Sequence, residues 1–421
     1  WGDPTYLVLM LFSSFFNYYM GKELWKITDE DPSRKRNLIF AVVINLLILG
    51  FFKYWGFFLD TISGITGLKL TYPQLALPIG LSFYTFKNLS YILDIYMGKT
   101  EPCKGFFPYA VYSTMFPHMT AGPIVRYTDI SESISRRSIN TTRLGAGAEL
   151  FIKGLSKKVL LADNLSALYT TLQASGTTSF VGTWLAIGAY TLELYFDFSG
   201  YSDMAIGLGQ MLGFNFNKNF DYPYISTSVS EFWRRWHISL GSWFRDYIYI
   251  PLGGNRVSTG RHIRNILVVW ALTGLWHGAS WNFVFWGVYY GLLLLAEKFL
   301  LGRFLEKAPV WLRNLYTMFA VIIGWVFFSQ TTPAAIGKML GAMFGLGASC
   351  FADRASLYAL KSGLILMIIS VISCRPGLYQ YFKRLARRNT YLAAVINAIL
   401  FFLCIAYMIY SSYTPFMYQQ F

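Results

Sequence analysis

The sequence has little charge for its length. Only 14% of its 421 residues are Asp, Glu, Lys or Arg, whereas 55% are hydrophobic. Soluble domains carry roughly 25% charged residues. Several stretches also reach the ~20 apolar residues that an α-helix needs to cross a bilayer core about 30 Å thick. The composition therefore excludes a soluble globular protein and predicts an integral membrane protein.

Acidic residues are the scarcer charge. There are 21 Asp and Glu against 36 Lys and Arg, which gives a formal net charge of +15. The basic residues fall between the apolar stretches, a pattern typical of cytoplasmic loops beside anionic lipid headgroups. We therefore expect the basic residues to interact with the lipid bilayer, and we expect no nucleic acid as a partner.

Cysteine and recognisable catalytic motifs are also scarce. The four cysteines (Cys103, Cys350, Cys374 and Cys404) show neither CxxC nor metal-ligand spacing. We predict no metal site and no disulfide framework, and we interpret all four as small buried residues. Because GxSxG, HExxH and P-loop motifs are missing, hydrolase, zinc-protease and NTPase functions have no support. The lack of a sequence repeat gives no support to a solenoid or an inverted-repeat transporter.

Hydrophobic stretches separated by polar links predict an all-α membrane bundle. They occupy 5–21, 38–60, 76–98, 105–126, 145–173, 179–213, 281–301, 314–329, 357–374 and 391–412. We predict about ten spans, together with broken or re-entrant helices, in a single integral membrane domain over 1–421. The chain starts with Trp and runs directly into an apolar stretch without a signal peptide. We therefore expect further residues to precede it.

Segment 105–126 interrupts regular helical structure. It contains FPHMTAGPIVR, in which Pro117, Gly122 and Pro123 break a helix. Irregular backbone at membrane depth must be buried in protein or line a cavity. We interpret His118 in this segment as a hydrogen-bonded structural residue, because no acid or second histidine lies near it in sequence.

Other apolar stretches carry charges that need partners. Lys87 lies in the third stretch, and we interpret it as reaching the membrane interface or pairing with a carboxylate. Glu193, Asp197 and Asp203 interrupt a later apolar block, where buried carboxylates require hydrogen-bonding partners. The stretch 145–173 has three lysines in its first half, which is typical of an interfacial helix.

The most unusual region is 231–287, which reads EFWRRWHISLGSWFRDYIYIPLGGNR, a basic link, and then NILVVWALTGLWHGASWNFVFWG. It places two of the chain's four histidines, His237 and His277, in tryptophan-rich apolar sequence, each directly after a Trp. Ionisable groups in such sequence are functional candidates, although a single histidine among aromatic residues is more often a packing residue. An imidazole accepts a proton from a hydroxyl near neutral pH, as acyl transfer to an alcohol requires.

Charged and polar neighbours of the histidines supply the binding candidates. Basic residues here either meet the phosphates of a cytoplasmic donor or anchor the protein to lipid headgroups. Arg245 and Asp246 equally suit a structural ion pair, and we interpret His262 as a solvated loop residue of the basic segment 251–265. The candidates for donor or substrate binding are Arg126, Arg234, Arg235, Trp236, Arg245, Asp246, Trp276 and Asn282.

These residues resemble the signatures of the membrane-bound O-acyltransferase family. FWRRWHISLGSWFRDYIYIPLGGNR and GLWHGASWNFVFWG are similar to its two central motifs. The resemblance extends over nearly the whole chain through GLSFYTFKNLSYILDIY (80–96), FPHMTAGPIVRY (116–127), ELYFDFSGYSDMAIGLG (193–209), GWVFFS (324–329) and PFMYQQF (415–421). It is strongest to the alginate-type bacterial branch, which includes peptidoglycan and cellulose acetylating relatives. His118 stands where we expect Gln or Lys in relatives. The family's sequence upstream of WGDP is absent here, and the resemblance therefore implies one or two further N-terminal helices.

The resemblance implies a helical bundle around a central tunnel, in which the acyl donor enters from the cytoplasm and the acceptor from outside. His277, in LWHG, would be the base or a transient acyl carrier, and His237, in RWHIS, would orient the donor or the acceptor. The implied donor substrate is acetyl-CoA, with no bound cofactor. The implied setting is the bacterial inner membrane, with an exported or cell-wall polysaccharide as acceptor and an extracytoplasmic SGNH-like acetyltransferase as partner.

Two alternatives stay open. A D-alanyl transferase, which passes its acyl group from a carrier protein to teichoic acid, would share the histidines, although PLGGNR (251–256) resembles that branch less. A non-enzymatic glycan exporter or scaffold would need the tunnel but not the imidazoles.

Overall fold

A computed structural model describes residues 4–73, 75–410 and 416, and the regular elements of this part of the chain are helices without strands. The all-α prediction is therefore confirmed. The α-helices, in chain order, are α1 (Pro4–Lys26), α2 (Pro32–Thr66), α3 (Leu81–Tyr96), α4 (Phe106–Thr114), α5 (Tyr127–Ser135), α6 (Thr141–Ser156), α7 (Asp163–Ala174), α8 (Phe180–Met211), α9 (Val229–Arg235), α10 (Ile238–Phe244), α11 (Thr259–His277), α12 (Trp281–Ala296), α13 (Gly302–Lys307), α14 (Val310–Ser329), α15 (Pro333–Met343), α16 (Arg354–Ser373), α17 (Pro376–Arg388) and α18 (Thr390–Tyr410).

Shorter helical segments lie between some of these helices. Two are 3₁₀ turns, at Phe116–His118 and Pro223–Ile225, and three are π-helical, at Lys157–Ala162, Arg245–Tyr249 and Glu297–Leu301. The first and third π segments continue α6 into α7 and α12 into α13. The terminal motif PFMYQQF lies outside the described residues except for Phe416.

Five helical segments of the described chain are long and apolar enough to cross a membrane. They are α2, α12 with α13, α14, α16 and α18. Between 6% and 33% of each apolar window is buried inside the protein, so most of these side chains need lipid around them. The protein is thus a multi-pass membrane protein. The count of about ten spans stays a prediction, because the other apolar stretches do not meet these criteria of length and composition.

Internal contacts divide the chain into two units. The first comprises 1–148, 205–217 and 242–248, and the second comprises 149–204, 218–241 and 249–421. The organisation of 1–421 as a single membrane domain stays a prediction.

Buried amides and hydroxyls join the first three helices of the first unit. Asn17 on α1 and Asn45 on α2 exchange side-chain hydrogen bonds of 3.0 and 2.8 Å. Asn88 Nδ2 on α3 donates to Ser13 Oγ on α1 at 3.1 Å. Because polar groups in apolar surroundings must be satisfied within the protein, these pairs fix how the three helices pack.

The predicted break within 105–126 is confirmed. Helix α4 ends at Thr114, the 3₁₀ turn follows, and residues 119–126 form no regular helix. A Cβ atom on Gly122 would lie 2.7 Å from His118 Cα. Glycine at this position therefore permits the chain to fold back on the histidine.

The environment of Lys87 agrees with neither interpretation drawn from the sequence. It is fully buried, so it does not reach the membrane interface, and the described residues place no carboxylate within ion-pair distance of it. Its Nζ donates to the Ser113 carbonyl oxygen at 2.5 Å and lies 3.2 Å from His118 Nδ1. This hydrogen bond to a buried lysine agrees with a structural role for His118.

Lysine–aspartate pairs join the α6–α7 region to α8 in the second unit. Lys158 Nζ lies 2.7 Å from Asp197 Oδ1, and Lys157 Nζ lies 2.8 Å from Asp203 Oδ2. The predicted need for partners is confirmed for Asp197 and Asp203. For Glu193, the third carboxylate of that prediction, Oε2 is buried and accepts no hydrogen bond from the described residues. The sequence predicts these lysines at the membrane interface, but they contact the two aspartates. Burial of an ion pair costs less free energy than burial of either charge alone.

Three of the four cysteines are buried, as predicted, but Cys350 is exposed. It lies in the irregular link between α15 and α16 rather than on a packed helix. All four are free thiols. Within the described ranges, no group of His, Cys, Asp and Glu side chains has an arrangement suited to a metal ion.

Candidate active site

His277 is the last residue of α11, which packs very closely on α12. A Cβ atom on Gly274 would lie 2.4 Å from the Phe283 carbonyl oxygen, and one on Gly287 would lie 2.5 Å from the Trp270 carbonyl oxygen. Real Cβ atoms do not approach oxygen so closely, so both positions require glycine. This packing fixes the end of α11, and with it the histidine, against α12.

Aromatic rings enclose His277, which is 4% exposed. The centroid of its imidazole lies 5.0 Å from that of Trp276, 4.9 Å from Trp286 and 5.3 Å from Phe328. The tryptophan-rich motif therefore supplies walls that exclude water from the imidazole on these sides.

His237 follows the short helix α9, whose start is anchored by a buried acid. The Glu297 carboxylate accepts hydrogen bonds from the backbone N–H groups of Val229 and Ser230 at 2.5 and 2.9 Å. A carboxylate at a helix N-terminus satisfies free N–H groups and interacts favourably with the helix dipole. The helix ends at Arg235, and His237 comes two residues later.

His237 has an unusual backbone conformation. Its φ is 44°, in the left-handed region that few residues other than glycine adopt. Its ring is 1% exposed and lies 4.7 Å from the Phe198 ring and 5.9 Å from the Trp276 ring, and its Nδ1 is 3.1 Å from Asn219 Oδ1. Such backbone strain costs on the order of 1–3 kcal/mol and is concentrated at functional sites.

Both histidines therefore contact the same indole. We call His237, Trp276 and His277 the histidine cluster. Nearby candidates have structural contacts of their own: Trp236 packs 5.0 Å from the Trp325 ring, and Asn282 Nδ2 donates to the Phe327 carbonyl oxygen at 3.2 Å.

The two arginines of α9 differ in environment. Arg235 Nε lies 2.9 Å from Glu231 Oε1, and its Nη1 lies 3.5 Å from Asp221 Oδ2. Its charge is thus held by carboxylates. Arg234 is exposed, so it is the more accessible of the two for an anionic ligand.

Arg126, Arg245 and Asp246 meet in the first unit. Asp246 binds Arg126 Nη2 through Oδ2 at 2.9 Å and Arg245 Nε through Oδ1 at 2.7 Å. The ion-pair interpretation of Arg245 and Asp246 is confirmed, with Arg126 as an additional partner. Arg126 also lies 5.0 Å from the Tyr247 ring, whose hydroxyl donates to Asp94 at 2.8 Å.

The interpretation of His262 as a solvated loop residue is wrong. Helix α11 begins at Thr259, so His262 is helical, and it is only 5% exposed. Its Nε2 lies 3.0 Å from the Tyr249 hydroxyl. The glycines and charges of the basic segment are typical of a loop and conceal the first turn of α11, which begins at Thr259.

Sequence reasoning did not single out Asn219. This residue is 1% exposed and its Oδ1 contacts both His237 and Ser239. The available signal was an asparagine among the aromatic residues of FNFNKNFDYPY (214–224). That segment holds three asparagines, and only the fold shows which one reaches the histidine.

Comparison with known proteins agrees with the motifs. The family model described as "MBOAT, membrane-bound O-acyltransferase family" matches residues 103–337. The chain belongs to this family. The resemblance is confirmed, and the protein is an O-acyltransferase.

Individual relatives differ in the acyl group and acceptor that their names give. The chain is 39% identical over 393 residues to a protein of Azotobacter vinelandii described as "probable alginate O-acetylase AlgI", covering 91% of this chain and 78% of that protein. It is 32% identical over 375 residues to the peptidoglycan O-acetyltransferase of Helicobacter pylori, covering 82% and 71%. It is 26% identical over 277 residues to the teichoic acid D-alanyltransferase of Bacillus subtilis, covering 62% and 67%.

Proposed function

We propose that this O-acyltransferase is an O-acetyltransferase of the bacterial inner membrane. It takes acetyl groups from cytoplasmic acetyl-CoA for the O-acetylation of an exported or cell-wall polysaccharide. The observation that carries the proposal is the histidine cluster, in which two buried imidazoles pack on the Trp276 indole. The sequence identity with relatives named for alginate and peptidoglycan O-acetylation supports acetyl as the transferred group.

The reaction needs one base and one hydroxyl. His277 removes the proton of the acceptor hydroxyl while the hydroxyl oxygen attacks the thioester carbonyl carbon. The carbon–sulfur bond breaks, the imidazolium returns the proton to the departing thiolate, and the products are an ester and free CoA. His237 orients a substrate in the same cluster. The thioester supplies an activated acyl group, so this step uses no bound cofactor.

The acceptor side of the proposal includes a partner. The hydroxyl that first receives the acetyl group belongs to the polysaccharide or to an extracytoplasmic SGNH-like acetyltransferase that passes it on. A tunnel between the two membrane faces lets the donor and acceptor meet at the histidine cluster. Arg234, exposed on α9, is the candidate for the donor's phosphates.

The alternative is transfer of D-alanine from a carrier protein to teichoic acid. The similarity to the Bacillus subtilis enzyme supports it, but that match is less identical and covers less of the chain. The family membership argues against the non-enzymatic exporter or scaffold.

Donor preference tests the proposal. The purified chain in lipid is supplied with radiolabelled acetyl-CoA or with a D-alanyl carrier protein, each with and without the products of neighbouring genes. We expect label from acetyl-CoA on the partner or the glycan. Transfer of D-alanine alone would establish the alternative, and the lack of transfer from either donor with every partner would contradict the enzymatic proposal.

A further inference from the structure

We infer that Asn219 is a positioning residue that holds His237 in the tautomer with its hydrogen on Nδ1. The Nε2 atom of His237 then carries the lone pair and acts as a hydrogen-bond acceptor. This inference rests on the proposed function of the histidine cluster and specifies which substrate His237 contacts.

The orientation of the Asn219 amide is fixed by a backbone group. The Ser239 N–H points at one terminal atom of the amide at 3.2 Å. A backbone N–H only donates, so this atom is the oxygen, Oδ1. The Ser239 hydroxyl donates to the same oxygen at 2.9 Å, and the amide nitrogen donates to Ser202 Oγ at 3.0 Å. Each group has a suitable partner in this orientation, and a flipped amide would oppose donor to donor at Ser239.

The tautomer of His237 follows from that orientation. Its Nδ1 lies 3.1 Å from Asn219 Oδ1, and an amide oxygen only accepts, so Nδ1 bears the hydrogen. The imidazole is 1% exposed among the rings of Phe198, Phe220 and Trp276. Burial among apolar rings disfavours a charged imidazolium, so Nε2 is unprotonated.

The backbone holds the two residues in register. The Ile238 N–H donates to the Asn219 carbonyl oxygen at 2.9 Å, and the Asp221 N–H donates to the Arg235 carbonyl oxygen at 2.9 Å. These bonds flank His237 and stabilise its left-handed φ of 44°. These backbone hydrogen bonds hold Asn219 beside His237, so the Asn219 side chain can fix the orientation of the imidazole.

The tautomer selects between the two substrates. A lone pair on Nε2 accepts a hydrogen bond from a hydroxyl, whereas a thioester carbonyl has no hydrogen to donate. His237 accordingly receives the hydroxyl of the acceptor substrate and does not polarise the carbonyl of the acyl donor. Loss of Asn219 lets the imidazole adopt the other tautomer, which presents a donor to that hydroxyl.

Nitrogen-15 NMR of the full chain in lipid measures the tautomer directly. The chain has four histidines, and the His237 signals are assigned by their loss in His237→Asn, a substitution that tolerates the left-handed conformation. We expect a protonated Nδ1 and an unprotonated Nε2 in the wild type and in Asn217→Ala, which changes an exposed asparagine of the same segment. In Asn219→Ala we expect a mixture of tautomers. A protonated Nε2 in the wild type would overturn the inference, whether or not Asn219→Ala folds.

Kinetics supply the second readout. We expect Asn219→Ala to lower kcat/KM for the hydroxyl acceptor on the order of 100-fold with little change in the KM for acetyl-CoA. The control Asn217→Ala, at an exposed position of the same segment, should stay near the wild type. An equal loss in both variants, or an equal loss for both substrates in Asn219→Ala, would contradict the positioning role. A chain with the expected tautomer that transfers no acetyl group from acetyl-CoA would disprove the proposed function but not the tautomer.

Discussion

At the scale of the residue, Asp197 shows how this protein carries charge inside an apolar fold. Its side chain is 4% exposed and lies 2.7 Å from Lys158 Nζ, which also lies 2.8 Å from Asp163. Removal of one member of a buried pair leaves a charge without compensation, at a cost of about 3–5 kcal/mol. The same charges replaced together by apolar groups of similar size cost far less.

Asp197→Ala removes one of the two carboxylates that pair with Lys158, and Asp163 remains. We therefore expect it to lower the free energy of unfolding by about 1.5–3 kcal/mol, the contribution of one charged hydrogen bond. The triple variant Lys158→Met, Asp163→Asn and Asp197→Leu removes all three paired charges together and should recover most of that loss. Unfolding in detergent, followed by heat or denaturant, measures both. Glu30→Ala, at an exposed position, is the control and should change stability by less than about 0.5 kcal/mol. Equal stability of Asp197→Ala and the control would contradict a stabilising ion pair.

Residues also show where sequence reasoning succeeds and where it fails. The aromatic environment of His277 follows from its own motif, because Trp276, Phe283 and Trp286 are its neighbours in sequence. The partner of His118 does not, because Lys87 lies 31 positions away and neither residue's local pattern indicates the other. Asn219 was missed for the same reason: it contacts His237 across 18 positions.

At the scale of the element, the α11–α12 pair positions the candidate base. Gly274 and Gly287 allow the two backbones to approach, and the approach places His277 beside Trp286. Any side chain at Gly274 would meet the Phe283 carbonyl oxygen, which cannot move without distorting α12. The position of His277 at the end of α11 therefore depends on a glycine, which has no side chain.

We expect Gly274→Val to separate the helices and to reduce acyl transfer on the order of 100-fold, as misplacement of a catalytic group by about 1 Å does. Gly260→Ala is the matched control on the same helix, because a Cβ atom there would have no neighbour within 4 Å. It should keep wild-type transfer and match or slightly raise the stability, since alanine favours a helix over glycine. Wild-type transfer by Gly274→Val would contradict the role of this contact.

Helix α17 connects two of the candidate membrane spans, α16 and α18, and has no buried residue. Its cations are Lys383, Arg384, Arg387 and Arg388. Its exposed large apolar side chains are Leu378, Tyr381 and Phe382. Helical periodicity places the cations on one face and the apolar side chains on the other. This distribution is typical of a helix that lies in the membrane interface against anionic headgroups.

We expect the full chain to bind phosphatidylglycerol about ten-fold more tightly than phosphatidylcholine through α17, in line with about 1 kcal/mol per basic residue near an anionic surface, reduced by salt screening. Replacement of the four cations of α17 by Gln should reduce the preference to near unity. The charge-retaining variant, with Lys383→Arg and each of the three arginines changed to Lys, should keep it. Native mass spectrometry of lipid-titrated protein gives the ratio. An unchanged ratio in the Gln variant would contradict this assignment.

At the scale of the whole molecule, composition and hydropathy predicted the membrane class correctly. The low charge content of 14% and the long apolar stretches indicate helices that span a bilayer, because a helix satisfies its backbone hydrogen bonds internally. The broken segment before Arg126 was also predictable, because Pro117, Gly122 and Pro123 act locally. The boundaries at 156–163 and 258–259 were not, because a π segment and a glycine-containing first turn have no distinct local pattern.

The candidate site was predictable to the level of the motif but not of the contact. The two histidines follow from their apolar surroundings and the family resemblance, and both rings lie against Trp276. Only part of the electrostatic environment of the arginines was predictable. Arg235 and Glu231 lie four residues apart on α9, a spacing that favours an ion pair. The contacts of Arg235 with Asp221 and of Arg126 with Asp246 depend on how separate segments meet.

We propose that His277 is the base of acetyl transfer, and the rate of label transfer from acetyl-CoA by variants in lipid tests this role. We expect His277→Gln to reduce this rate by about 100- to 10,000-fold at unchanged folding and membrane insertion. His262→Gln, which alters a buried histidine bonded to Tyr249, should keep a rate near that of the wild type. A wild-type rate in His277→Gln would contradict the role of His277 as the base.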